Sequence, residues 1–416
     1  MKILFLTPQV PYPPRQGAAL RNWGLISGLA ARHELAVLSF LSPGRSPEPD
    51  SRLQAAHPLQ AACRIETVPA PMRTFRDRLH SLLATRQPDM ALRLASEVYA
   101  RRLAEWLARE SFDVVHVGGI EMAPYLGVIG NATAQPRPLV VFDNLNCEYL
   151  LQRRAFLTDL RAPAHWPGAL YSFVQWRRLR RYEAQVCRRA DKVLAVSEAD
   201  AVALQDLVPG LDVTVVPNGV DTQAYRAESP SAELQIPQNA LVFTGTMDFR
   251  PNVDAMLWFA RRVLPLVRAQ VSQARLFVVG QRPHRRLDKL RRDPAVVLTG
   301  WVEDVRPYIA QASVYVAPLR IGGGTRLKLL EAMAMDKAVV ATRLGAEGYP
   351  VRDGHELVLA DAAGDFAAAV VELLRAPERR AKLGRAARAF VEQWYDWHAI
   401  VPRVEAVYQM KQPPVE

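Results

Sequence analysis

The sequence predicts an α/β protein made of two Rossmann-like, doubly wound domains, and three observations carry that prediction. The chain has 416 residues, more than one hydrophobic core of ordinary size organises, so two domains with a core each are expected. Short runs rich in β-branched residues recur along it with helical stretches between them, as repeated βαβ units require. Those runs are continuously apolar rather than alternating, which is how parallel strands covered on both faces read. A composition of 50% hydrophobic and 23% charged residues agrees, and argues against a disordered, collagen-like or coiled-coil chain.

In the first half the expected strands are Lys2–Thr7, Leu35–Leu41, Arg64–Pro69, Asp113–Val117, Leu139–Asp143, Lys192–Ser197 and Val213–Val216. In the second half they are Ala240–Gly245, Arg275–Gly280, Ala295–Thr299, Ser313–Ala317, Lys337–Ala341 and Glu356–Ala360. The boundary is expected at the turn-rich Pro217-Asn218-Gly219-Val220-Asp221, followed by a polar, proline-containing stretch from Thr222 to Asn239. This gives domains over residues 1–220 and 221–395, then a tail, 396–416, in a region helical by pattern and interrupted at Trp394-Tyr395-Asp396-Trp397. Two such domains are expected to hold a ligand in a cleft where the carboxyl ends of their strands face each other.

The balance of 53 Lys+Arg against 42 Asp+Glu gives a net charge of +11, nearly all of it from arginine. Such a surface attracts phosphates, whether on a nucleic acid, an anionic lipid or a small substrate, and an arginine-rich genome would produce the same excess. No recognition module accompanies the charge, so nucleic acid is not the expected partner. The three cysteines, Cys63, Cys147 and Cys187, have no metal-ligand spacing, and reduced thiols in a cytoplasmic protein are expected. The amino terminus lacks the long apolar region of a signal peptide, and no run of about 18 apolar residues exists to cross a membrane. Any membrane contact is expected to be peripheral, at the inner face.

The first strand leads into Pro8-Gln9-Val10-Pro11-Tyr12-Pro13-Pro14-Arg15-Gln16-Gly17. Neither GxGxxG nor GxxxxGK[ST] occurs there, which disfavours nicotinamide dehydrogenases and P-loop enzymes. What remains is a proline-stiffened loop ending at Gly17, where backbone could approach a ligand, or a plain surface turn.

The richest segment runs from Pro318 through Arg320-Ile321-Gly322-Gly323-Gly324-Thr325-Arg326-Leu327-Lys328 to Glu331 and Ala334. A strand ends near Ala317, glycines follow, and an amphipathic helix is expected from about Thr325. Glycines expose backbone amides, and a helix N-terminus adds unpaired N–H groups and the positive end of a dipole. Arg320, Arg326 and Lys328 cluster at the same point, which suits a diphosphate held without a metal. Glu331, two helical turns past Gly324, could accept hydrogen bonds from ribose hydroxyls. A Gly-rich loop with solvated charges is the plainer alternative.

This segment, continued by Ala338-Val339-Val340-Ala341-Thr342, resembles the donor site of family 4 glycosyltransferases of the GT-B fold. Further similarity lies in Asp191–Ser197, Pro217–Asp221, Gly245-Thr246-Met247, Phe277–Gly280, Thr299–Asp304 and Arg352-Asp353-Gly354, in the family's order. The resemblance implies a GT-B enzyme with an N-terminal acceptor-binding domain, a C-terminal nucleotide-sugar domain and a tail helix that returns to the first. It implies retaining sugar transfer from a nucleotide-diphosphate sugar, with UDP the first guess and GDP the next, and no cofactor or metal. Under it Glu331 holds the ribose; amides of Gly322, Gly323, Gly324 and Thr325 hold the diphosphate with Arg326 or Lys328. Backbone of Thr299, Gly300, Trp301 and Val302 frames the base, and Gly17 approaches the donor. The family's first of two glutamates is Gly323 here, so backbone amides are expected in its place. After the Gly245 strand Arg250 is present, but Pro251-Asn252 stands where a lysine is common.

His116 and Asp143, each ending a strand, are candidates to touch sugar or acceptor, although a core histidine and a turn-capping aspartate read the same way. With Arg250 they form the candidate catalytic set; Glu148 is a weaker candidate. Two basic, aromatic stretches, Met72 to Glu110 with eight arginines and Leu151 to Lys192, could rest on an anionic membrane or simply be solvated helix faces. The expected acceptor is a glycan, a lipid-linked or a small molecule in surface polysaccharide or glycoconjugate synthesis. The alternatives are a nucleotide-sugar epimerase of the same fold and a non-catalytic sugar-nucleotide-binding subunit.

Overall fold

Seven parallel strands form the first sheet: β1 (Lys2–Thr7), β2 (Glu34–Leu41), β3 (Arg64–Pro69), β4 (Val114–Gly118), β5 (Leu139–Asn144), β6 (Lys192–Ala195) and β7 (Val213–Val215). Their order, β3-β2-β1-β4-β5-β6-β7, reverses at β1, so the chain winds first one way and then the other, as a Rossmann-like sheet does. Phe5 of β1 lies opposite Val37 of β2 and His116 of β4. Ile3, Leu4, Phe5 and Leu6 are all fully buried, which explains why these strands read as unbroken apolar runs.

The second sheet has six parallel strands: β8 (Ala240–Thr244), β9 (Arg275–Val279), β10 (Val296–Gly300), β11 (Val314–Ala317), β12 (Val339–Ala341) and β13 (Val358–Leu359). Its order, β10-β9-β8-β11-β12-β13, reverses between β8 and β11. Successive β8 side chains serve two cores: Leu241 and Phe243 pack with the helices on one face, Ala240 and Val242 with those on the other. Each sheet is thus covered on both sides, and the fold is the predicted pair of doubly wound α/β layers.

The computed structural model describes residues 1–14, 17–41, 58–132, 136–160, 166–226, 234–322 and 324–410. It separates into two compact units, Met1–Pro217 with the tail from Ile400 onward, and Asn218–Ala399. Within the second unit the two segments that lead to and from the first are stitched together. Val220 N–H donates to Tyr395 O at 2.9 Å, and the Asp396 carboxylate accepts from Thr222 Oγ1 at 2.6 Å and from His398 N–H at 2.7 Å. Those bonds break the helical pattern between Pro377–Trp394 and Trp397–Gln409. No helix among the described residues is long and apolar enough to cross a membrane.

Candidate functional site

The carboxyl ends of β8 and β11, where the strand order of the second sheet reverses, are where an open α/β sheet binds its ligand. After β11 the chain passes through a glycine turn into the helix Leu327–Ala334. Gly322 and Gly324 adopt φ of 110° and 79°, backbone that a side chain would strain, which is what the glycines there are for. Gly323 lies outside the described residues. The helix begins two residues later than the sequence suggests, and its N-cap residue, Arg326, makes no side-chain capping bond. Leu329 N–H donates to Arg326 O at 2.8 Å, and no cap side chain covers the positive end of the helix dipole ahead of it.

Lys328, in the first turn of this helix, faces back toward β8. Its Nζ donates to Asn252 Oδ1 at 2.9 Å and sits 4.3 Å from the centre of the Phe243 ring. A Cβ on Gly245 would stand 2.6 Å from that Nζ, so the glycine after β8 is the space the ammonium occupies. Burial, then the nearby Arg326 guanidinium, lowers the Lys328 pKa to about 7. Such an ammonium lacks a counter-charge in proportion to its burial, and an arriving diphosphate would supply one.

Glu331 lies one turn further along the same face, as i,i+3 spacing dictates. Burial raises its pKa, while a hydrogen bond from the Tyr225 hydroxyl and the charge of Lys328 act against the rise. Tyr225 itself is pushed well above its usual range by burial and by Glu331; it stays a phenol and donates. Asn218 Nδ2 reaches Thr325 Oγ1 at 3.3 Å, joining the Pro217–Asp221 turn to the start of the helix.

The other predicted residues fall in several places. Arg326 lies beside the glycine turn, its Nη2 3.0 Å from where a Gly322 Cβ would be. Thr299 and Gly300 end β10, where the ladder with β9 shifts register; Trp301 is 66% exposed and Val302 packs into the core. Arg320 departs from the expected cluster: it forms a bidentate pair with Asp254 at 3.0 and 3.1 Å and lies over the Trp258 ring. Its charge is answered there, not beside Lys328. Arg250 is exposed at the start of the helix Arg250–Trp258. Gly17, in the first unit, opens the helix Gly17–Ala30, and a Cβ there would meet nothing within 4 Å.

His116 and Asp143, in β4 and β5, are buried side chains of the first unit. Neither presents any surface. Arg21, also buried, donates from Nε and Nη2 to Asp143 at 2.7 and 2.8 Å, and from Nη1 to the carbonyls of Val216 and Pro217 at 2.9 and 3.0 Å. His116 Nε2 is 3.2 Å from Asp143 Oδ2, and its Nδ1 is 2.7 Å from the hydroxyl of Tyr408 in the tail helix. Burial opposes ionisation of Asp143, but Arg21 and His116 hold its carboxyl well below the usual range. The two residues complete a buried ion network inside the first unit. Sequence reading missed Arg21, Tyr408 and Tyr225, none of which stands in a motif; Asn252 was visible only as a departure.

Two parallel, doubly wound units with a phosphate-suited turn at the second switch point define the class of GT-B transferases. Residues 15–224 match Glycosyltransferase Family 4 and residues 238–376 match Glycosyl transferases group 1. The phosphatidyl-myo-inositol mannosyltransferase of Mycolicibacterium smegmatis is 29% identical over 317 residues, 74% of each chain. Among solved structures, sucrose-phosphate synthase from Thermosynechococcus elongatus aligns with a TM-score of 0.70 at 17% identity over 98% of both chains. HepE of Anabaena in complex with UDP-glucose aligns with a TM-score of 0.60 at 17% identity, over 99% of this chain and 100% of that one. The chain belongs to glycosyltransferase family 4, and it is a glycosyltransferase.

Proposed function

We propose that the enzyme moves a sugar, with retention of configuration, from a nucleoside-diphosphate sugar to a lipid-linked or glycan acceptor at a membrane surface. The observation that carries this reading is the partly buried Lys328, held at the switch point by Asn252 and the absent side chain of Gly245. The uncapped start of the helix Leu327–Ala334 and Lys328 stabilise the leaving diphosphate, the charge that grows in the transition state. Glu331, kept in place by Tyr225, binds the ribose hydroxyls. The departing phosphate takes the proton of the acceptor hydroxyl, so no side-chain base is required and no metal is invoked. UDP is the first candidate, as in the HepE complex, and GDP the second. A phospholipid-type acceptor is suggested by what the mycobacterial relative's name says of that protein.

The test is product analysis with a panel of UDP- and GDP-sugars and lipid extracts. The reading requires free nucleoside diphosphate and a glycosylated lipid or glycan whose anomeric configuration matches the donor. An isomerised donor without an acceptor product would replace it with an epimerase.

A further inference from the structure

The first unit carries a second concave site, far along the chain from the donor-site residues of the second unit. It is a groove of about 480 Å³ between the helices Glu148–Leu160, Trp166–Arg189 and Glu198–Leu207, within the size range of small-molecule sites. Its walls mix charge and apolar surface: Arg153, Arg180 and Asp206 with Tyr149, Trp176 and Val202. Neither Arg153 nor Arg180 is among the ion pairs of the described residues; Arg153 lies only over the Trp176 ring, at 5.9 Å. Asp206 is the single carboxylate of the lining, so the groove is net positive. The buried Trp176 Nε1 has no hydrogen-bond partner, a donor that a native interior seldom leaves unused.

What adjoins the groove indicates the ligand. Trp176 stacks on Phe156, with centroids 6.1 Å apart, and meets Phe173 edge-to-face at 5.8 Å. Phe173, Leu170 and Trp166 precede it at three- and four-residue spacing, hence on one face of the helix. They are 37%, 66% and 58% exposed, large apolar side chains that a soluble surface normally limits. Arginines 177 and 181 flank the stripe, and Arg177 lies over Phe173. An apolar stripe flanked by arginines and ending in a net-positive groove is the chemistry of an anionic lipid surface.

We propose that the groove is a headgroup site for an anionic phospholipid, seating the lipid phosphate between Arg153 and Arg180 while Trp166, Leu170 and Phe173 enter the acyl boundary. This extends the membrane part of the proposed function and rests on it for placing the acceptor at a bilayer. Charge complementarity selects the phosphate, and the stripe selects a lipid over a free anion.

The experiment is co-sedimentation of the full chain with vesicles of phosphatidylcholine alone or mixed with phosphatidylglycerol. The expected result is binding to the mixed vesicles only, about thirtyfold weaker for Arg153→Gln with Arg180→Gln, from the contribution of two basic side chains at an anionic surface. Arg291→Gln with Arg292→Gln, which removes the same charge from the second unit, should change binding less than twofold. Trp166→Ser with Leu170→Ser should also release the protein. Equal loss in both arginine pairs would overturn the site in favour of generic attraction. Unchanged binding in the groove pair would overturn it too. Competition by millimolar inorganic phosphate would overturn the lipid assignment and leave a soluble-phosphate site. Calorimetric nucleotide binding, measured on the same groove variant, should be unaltered, so failure of the donor reading and failure of the lipid site are read separately.

Discussion

Lys328 concentrates the electrostatics of the second unit in one side chain. Its pKa of about 7 in the folded chain lies below the ordinary 10.5, so between those values the unfolded chain holds the extra proton. The linkage sign follows: this group's contribution to stability rises as pH goes up through that window. Denaturant unfolding from pH 7 to 10 should show a rise that Lys328→Met flattens. A diphosphate favours the ammonium, so nucleotide binding at pH 8 should take up a proton, seen as a buffer-dependent calorimetric enthalpy that vanishes in Lys328→Met. Gly245→Ala tests the same point by geometry. The added methyl falls 2.6 Å from Nζ at a φ of 149°, so nucleotide affinity should fall at least tenfold while the circular dichroism spectrum is kept.

At the scale of elements, Arg21 ties the helix Gly17–Ala30 to β5 and to the carbonyls that end the first unit's main segment, while Tyr408 ties the tail helix to β4 through His116. Removing one partner of a buried ion pair strands the other, at a cost of about 3–5 kcal/mol. Asp143→Asn is therefore expected to lower stability by that order, and Tyr408→Phe by about 1 kcal/mol, the worth of one hydrogen bond; denaturant melts check both. These elements also mark what sequence reading reaches. Apolar runs such as Lys2–Thr7 are strands for reasons local to them, burial on both faces, and they were legible. So were the glycine turn and helix of the Gly322–Glu331 segment, because consecutive glycines ahead of an amphipathic pattern mark such a junction locally. Arg21, His116, Asp143 and Tyr408 lie far apart in the chain and meet only after two strands, a helix and the tail have packed. Asp143 at a strand end looks the same whether it faces a ligand or an arginine. The pairing of Arg320 with Asp254 was not legible, because Asp254 comes from the helix Arg250–Trp258, 66 residues away.

For the molecule as a whole, the chain passes to its second unit at Pro217 and returns at Ile400. The tail buries Ile400, Val401, Val404, Val407 and Tyr408 in the first unit. A chain ending at Ala399 should lose the calorimetric unfolding transition of the first unit, because the apolar surface those side chains cover would be left open to water. Under the proposed reading nucleotide binding belongs to the second unit, and it should survive wherever the truncated chain stays in solution. The most direct test of the central claim, that a nucleoside diphosphate binds at the helix Leu327–Ala334, is calorimetric titration with UDP, GDP, ADP and dTDP without added metal, on the wild type and on Glu331→Ala. The account predicts that one nucleotide binds tightly and that the mutation weakens it at least tenfold. Binding unaffected by the mutation, or no binding of any nucleotide, would contradict it.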